Sequence, residues 1–171
     1  MKFEIDIRRI EKLAAQKADE NWKFRNYLKG WSDLSSKEID TRFKYYYEIV
    51  LKEIDCTKCA NCCIKLQPLL SLGDIKSMAT YLGLSYSLFL EKYIVEDEEE
   101  DGFVFNTFPC PLLKDNLCTV YSSRPLECRA FPHLDKKDRI FSMTTVFENC
   151  SVCPIVYNVY ELLKKELWHG N

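Results

Sequence analysis

The amino-acid sequence predicts an α+β fold: a mostly helical single domain with a small antiparallel β element and cysteine-rich metal-binding loops. Three observations lead there. Apolar residues recur at helical intervals toward both ends of the chain, short runs rich in β-branched and aromatic residues cluster after residue 102, and four of the nine cysteines fall within residues 56–63. A length of 171 residues is that of one domain, and an apolar content of 47% is enough to build a core without help from metal. Metal therefore organises one region and not the whole fold. By role the domain, 1–171, divides into an N-terminal helical pair (1–55), a cysteine-cluster metal-binding region (56–153) and a C-terminal helix (154–171).

The first helix is expected over residues 4–29, where Ile7, Ile10, Leu13, Ala14, Ala18 and Trp22 recur at near-helical spacing before Gly30 interrupts. Ser35 to Glu38 fits a capping box for a second helix, whose stripe of Ile39, Phe43, Tyr46, Tyr47, Val50, Leu51 and Ile54 reads as core packing. After the first cysteines, Ser71 to Asp74 opens a short helix that runs to Leu82 and is stopped by Gly83. Ser85 caps another that carries Leu88, Phe89, Tyr93 and Ile94. The acidic run 96–101 reads as a solvated loop, with no regular calcium-loop spacing. Strand composition marks residues 103–108, 117–121 and 140–147, with a turn at Lys114-Asp115-Asn116 between the first two. The last helix, Ile155 to Trp168, has Pro154 in its first turn and Gly170 just past its end.

A net charge of −2 gives no pull toward nucleic acid or an anionic membrane, and no basic stripe is present. The N-terminus interleaves charged and apolar residues, unlike a signal peptide, and no apolar run approaches the ~20 residues a bilayer requires. The expected compartment is the cytoplasm, where thiols stay reduced. An odd count of nine cysteines, with Cys62 and Cys63 adjacent, then points to metal and not to disulfides.

The candidate ligands are Cys56, Cys59, Cys62, Cys63, Cys110, Cys118, Cys128, Cys150 and Cys153. Cys56, Cys59 and Cys62 repeat C-x2-C-x2-C, the spacing that holds three corners of a [4Fe–4S] cube, and Cys110-Pro111 and Cys153-Pro154 both offer a remote fourth ligand. Zinc is the other cofactor expected, since Cys56 and Cys59 could join Cys150 and Cys153 in a tetrahedron. Nine thiols exceed one site. Either two four-thiol sites exist with one cysteine spare, or one exists and the remaining thiols are small buried hydrophobes. Cys150 and Cys153 sit where a helix begins, a position expected to favour thiolate. His133 and His169 are lesser candidates. Arg124 and Arg129 bracket Cys128 and are suited to offset thiolate charge or to bridge loop carbonyls, while Tyr121 and Phe131 form an apolar wall.

Cys56-x2-Cys59-x2-Cys62-Cys63, Pro109-Cys110-Pro111-Leu112-Leu113 and Cys118-Thr119-Val120-Tyr121-x2-Arg124-Pro125-x2-Cys128-Arg129-x-Phe131-Pro132 together resemble the YkgJ-type cysteine-cluster family. The resemblance covers residues 56–132, with Cys150 and Cys153 as a looser extension, and implies a zinc- or iron-chelating domain. That family includes flagellin lysine N-methylases, so it also implies an alternative: a metal-dependent enzyme such as a protein lysine N-methyltransferase. No nucleotide loop, glycine-rich cofactor motif or paired acid and base supports the alternative. The function expected is metal binding, by an iron–sulfur cluster or zinc, with a protein substrate or partner and with neither nucleic acid nor membrane.

Overall fold

A computed structural model describes residues 2–98 and 100–168, so the candidate His169 and the expected helix stop Gly170 lie outside the described residues. The chain divides into two compact units, one built from residues 1–55 and 132–171 and the other from residues 56–131. Helices dominate, with two small antiparallel sheets of two strands each. None of the described helices is long and apolar enough to cross a membrane.

In the first unit the helix expected over 4–29 is two helices, α1 (Ile7–Gln16) and α2 (Ala18–Gly30), broken at Lys17. Asp6 caps α1 by accepting from the backbone N–H groups of Arg8 and Arg9, which starts the helix three residues later than the apolar spacing suggested. Helix α3 (Ser36–Glu53) has the expected capping box, with Ser35 and Glu38 each bonding the other's backbone. Its stripe is narrower than the sequence implied: Ile39, Phe43, Val50 and Ile54 are buried, whereas Leu51 is 43% exposed. Helix α3 packs on α9 (Pro154–Leu167), whose residues 154–160 are all buried, since α1 and α8 (Met143–Asn149) pack on it as well. Tyr160 stacks edge-on against Phe24 of α2, and its hydroxyl donates to the Asn21 carbonyl at 3.0 Å.

The strand expected over 140–147 is a correction. Residues Arg139–Ser142 form a 3₁₀ turn that leads directly into α8. Met143, Val146 and Cys150 are buried at helical spacing, so packing of this face overrides the local preference of Thr144, Thr145 and Val146 for strand.

The second unit has one core, formed by Leu70, Ile75, Met78, Phe89, Ile94, Phe105, Leu112 and Val120. Helices α5 (Leu72–Tyr81) and α6 (Tyr86–Tyr93) pack together, capped by Ser71 and Ser85 as expected, and Gly83 adopts the left-handed φ of 67° that ends α5. Strands β1 (Ile94–Glu96) and β2 (Phe103–Phe105) pair in the register Ile94 to Phe105, so Glu96, the first of the acidic run, pairs with Phe103 inside the sheet. Strand β2 is shorter than the expected 103–108. Phe108 is exposed, and the chain turns toward Cys110 instead of pairing. A second hairpin joins β3 (Leu113–Lys114) to β4 (Leu117–Cys118), through Asp115 and Asn116 at φ of 50° and 60°. Two consecutive left-handed residues are what a two-residue turn between right-twisted strands requires, and aspartate and asparagine tolerate them best after glycine.

Candidate metal centre

Four segments of the second unit carry its thiols. Residues Cys56–Lys58 make a 3₁₀ turn closed by the Cys59 N–H donating to the Cys56 carbonyl at 3.2 Å. Ala60 then takes a left-handed φ of 54°, which redirects the chain into α4 (Asn61–Lys65). Cys62 and Cys63 therefore lie in the first helical turn, about 100° apart around its axis, and not on alternate faces of an extended segment. Cys110 is tied to this turn by its own N–H, which donates to the Cys63 carbonyl at 3.0 Å. Cys118 ends β4 opposite Leu113, and Cys128 lies on α7 (Leu126–Ala130).

The electrostatics single out four of these thiols. Cys110, Cys118 and Cys128 each feel the charge of Cys63; Cys110 feels Cys118 as well, and Cys128 feels both Cys110 and Cys118. Burial first, and the neighbouring thiols with it, push Cys110 up to about 11 and Cys128 up to about 12. Cys118 is raised for the same reasons. Cys63 moves the opposite way, down to about 7, because the Cys62 thiol donates to it and the Arg124 guanidinium lies nearby, against a contrary effect of burial. Cys59 is raised by burial and feels Cys56 and Cys63. Cys63 is the hub: its charge reaches Cys59, Cys110, Cys118 and Cys128.

Backbone amides add a second pattern. The Asn61 N–H stabilises the Cys59 thiolate, the Leu112 and Leu113 N–H groups that of Cys110, and the Val120 N–H that of Cys118. In each case the donor two residues after the cysteine turns back onto its sulfur. Such amides hold negative charge on sulfur without adding a counter-ion. Arg124 supplies the counter-ion: its Nε donates to the Tyr121 carbonyl at 2.9 Å, and its guanidinium lies 3.6 Å from the centre of the Tyr121 ring. It lowers the pKa of Cys63, Cys118 and Cys128 together. Tyr121, expected as an apolar wall, is the platform on which that arginine rests. Arg129 is exposed.

A family model described as "CxxCxxCC: Putative zinc- or iron-chelating domain" matches residues 55–154, more than half of the chain. The chain belongs to this family. No curated protein and no solved structure matches it. The matched span includes all nine cysteines, Cys150 and Cys153 among them, and the family's description supports zinc or iron binding.

Within the CxxCxxCC span, Cys150 and Cys153 belong to the first unit together with His133. Cys153 precedes α9 as expected, but Cys150 sits at the C-terminal end of α8, buried, with its thiol donating to the Val146 carbonyl at 3.5 Å. The expectation of a favoured thiolate at that helix start fails at Cys150. Burial drives its pKa well above the ordinary thiol value, and the nearby Lys164 offsets this only in part.

Among the described residues, no three Cys, His, Asp or Glu side chains already surround a point from which a metal ion could be held. The donor chemistry of the second unit nonetheless fits zinc or iron, both of which take thiolate. Neutral buried thiols have no attraction for one another, and closing a ligand shell requires the deprotonation that an incoming ion drives.

Proposed function

We infer that the CxxCxxCC domain of this chain is a cytoplasmic metal-binding module in which Cys63, Cys110, Cys118 and Cys128 hold the metal. The observation that carries this reading is that Cys110, Cys118 and Cys128, each on a different segment, all feel the charge of Cys63, whose carbonyl also accepts from the Cys110 N–H at 3.0 Å. Arg124 and the amides of Leu112, Leu113 and Val120 would balance the charge that four thiolates bring. Cys62 bonds to Cys63 and Cys59 feels its charge, so Cys56, Cys59 and Cys62 would extend the site toward a second ion or a larger cluster. The C-x2-C-x2-C spacing and the number of amides turned onto sulfur favour an iron–sulfur centre over zinc, because hydrogen bonds to sulfur are a principal means of tuning such clusters. Bound iron–sulfur would supply one-electron chemistry, and zinc a fixed structural charge.

The test is anaerobic purification followed by a visible spectrum and assays of iron, sulfide and zinc. A brown protein with matched iron and sulfide is expected. Colourless, zinc-loaded protein would replace the iron assignment, and protein that retains neither metal would overturn the reading altogether.

A further inference from the structure

The second unit contains a groove of about 760 Å³ that no cysteine lines. Its floor is the segment Pro68 to Leu70 and its walls are α5, the tip of the β1–β2 hairpin and the start of α7. The floor is fixed by hydrogen bonds. Leu70 N–H donates to the Phe103 carbonyl at 2.7 Å, and Gln67 Nε2 donates to the Phe105 carbonyl at 2.6 Å. Asp74 joins two of the walls: one carboxylate oxygen accepts from the backbone and hydroxyl of Ser71, and the other accepts from the Leu126 N–H at 2.9 Å. Gly102 closes the third side. A Cβ there would lie 2.8 Å from Leu69 Cδ1, so a larger residue would push the Leu69 side chain aside.

The lining combines two chemistries. Leu72 and Leu126 stand at the mouth, 50% and 61% exposed, above the half-buried Leu69 and Phe103. Asp74, Glu100, Asp101 and Glu127 also line it, and among its described lining residues none is basic. Exposed leucines flanked by carboxylates are poorly served by water alone. They are complementary to a chain that alternates aliphatic side chains with lysine or arginine, whose stems pack on leucine while their heads reach the carboxylates. A purely apolar ligand would gain nothing from the negative charge of the rim, and an acidic one would be repelled.

We propose that this groove docks a basic, aliphatic segment of a partner protein. The proposal rests on the groove and not on the metal assignment. Leu126 and Glu127 open the same helix that carries Cys128, so the docked segment lies beside the thiol-bearing loops.

The experiment selects a phage-displayed library of random nine-residue peptides on the full-length, as-purified protein, with counter-selection on Glu100→Lys/Asp101→Lys/Glu127→Lys. Recovered peptides are expected to place Lys or Arg within two residues of Leu, Ile or Phe. Synthetic versions should lose roughly tenfold or more in affinity on the charge-reversed protein and weaken as salt rises. Leu72→Ser provides a second variant at an exposed site, and it should also lose affinity while circular dichroism and metal content stay unchanged. Selection without a basic–aliphatic pattern, or peptides that bind the variants equally well, overturns the proposal. So does a chain that takes up no peptide but self-associates through this face, with dissociation on charge reversal, since the occupant is then a second copy.

Discussion

Replacing Lys164 with methionine is expected to lower the stability of the first unit by about 3 kcal/mol, and its Tm by roughly 10 °C, as read by thermal unfolding. Lys164 is 1% exposed, and its ammonium has all three protons engaged: on Glu20 Oε1 at 2.7 Å, Asn21 Oδ1 at 2.7 Å and Glu161 Oε1 at 2.5 Å. The other Glu161 oxygen pairs with Lys17 of the α1–α2 break. One buried cation thus ties α9 to α2, and the same turn of α2 receives the Tyr160 hydroxyl. Methionine fills the same volume without the charge, so the loss comes chiefly from stranding the buried Asn21 side-chain carbonyl and from leaving Glu161 with Lys17 as its one remaining cation in this network. The Glu20 side chain is 37% exposed and contributes less. Adding Glu161→Gln to Lys164→Met should recover part of the loss. A Lys164→Met protein that melts with the wild type would show that the network carries no net stability.

If the proposed ligand set holds, serine at Cys63 is expected to reduce metal affinity by more than the ~10–100-fold that follows loss of an outer partner, because it removes the thiolate whose charge reaches the other three. Serine at Cys118 should act the same way. Cys150→Ala is the internal control: its buried thiol is already engaged with the Val146 carbonyl, so metal content should persist while stability falls by about 1 kcal/mol for the small cavity and lost hydrogen bond. Metal per chain, measured on folded protein after each change, separates the two outcomes. Full occupancy in Cys63→Ser would remove the hub from the ligand set.

Much of the helical framework was legible because helix starts are written locally. Ser35 with Glu38, Ser71 with Asp74 and Ser85 each cap the helix that their spacing implied, and Gly83 ends α5 with the left-handed φ for which it was singled out. The residues of the resemblance likewise led to the family that the chain belongs to. Less legible was anything decided by packing between distant segments. Thr144, Thr145 and Val146 favour strand on their own, yet the buried face of Met143, Val146 and Cys150 makes them helix. The break at Lys17 is hidden inside an unbroken apolar spacing.

At the cysteines, the C-x2-C-x2-C pattern drew attention to Cys56, Cys59 and Cys62, whereas the electrostatic hub is Cys63. The reason lies in Ala60. A non-glycine residue in the left-handed region has no sequence signature, and it is this residue that turns the following segment into helix and gives Cys62 and Cys63 their separate directions. The amides of Leu112 and Val120 could have been anticipated only by someone looking two residues past each cysteine.

X-ray absorption at the edge of whichever metal the purified chain retains tests the thiol centre most directly. A shell of about four sulfurs near 2.3 Å is expected, with no dominant nitrogen or oxygen contribution. A shell dominated by nitrogen and oxygen would contradict it.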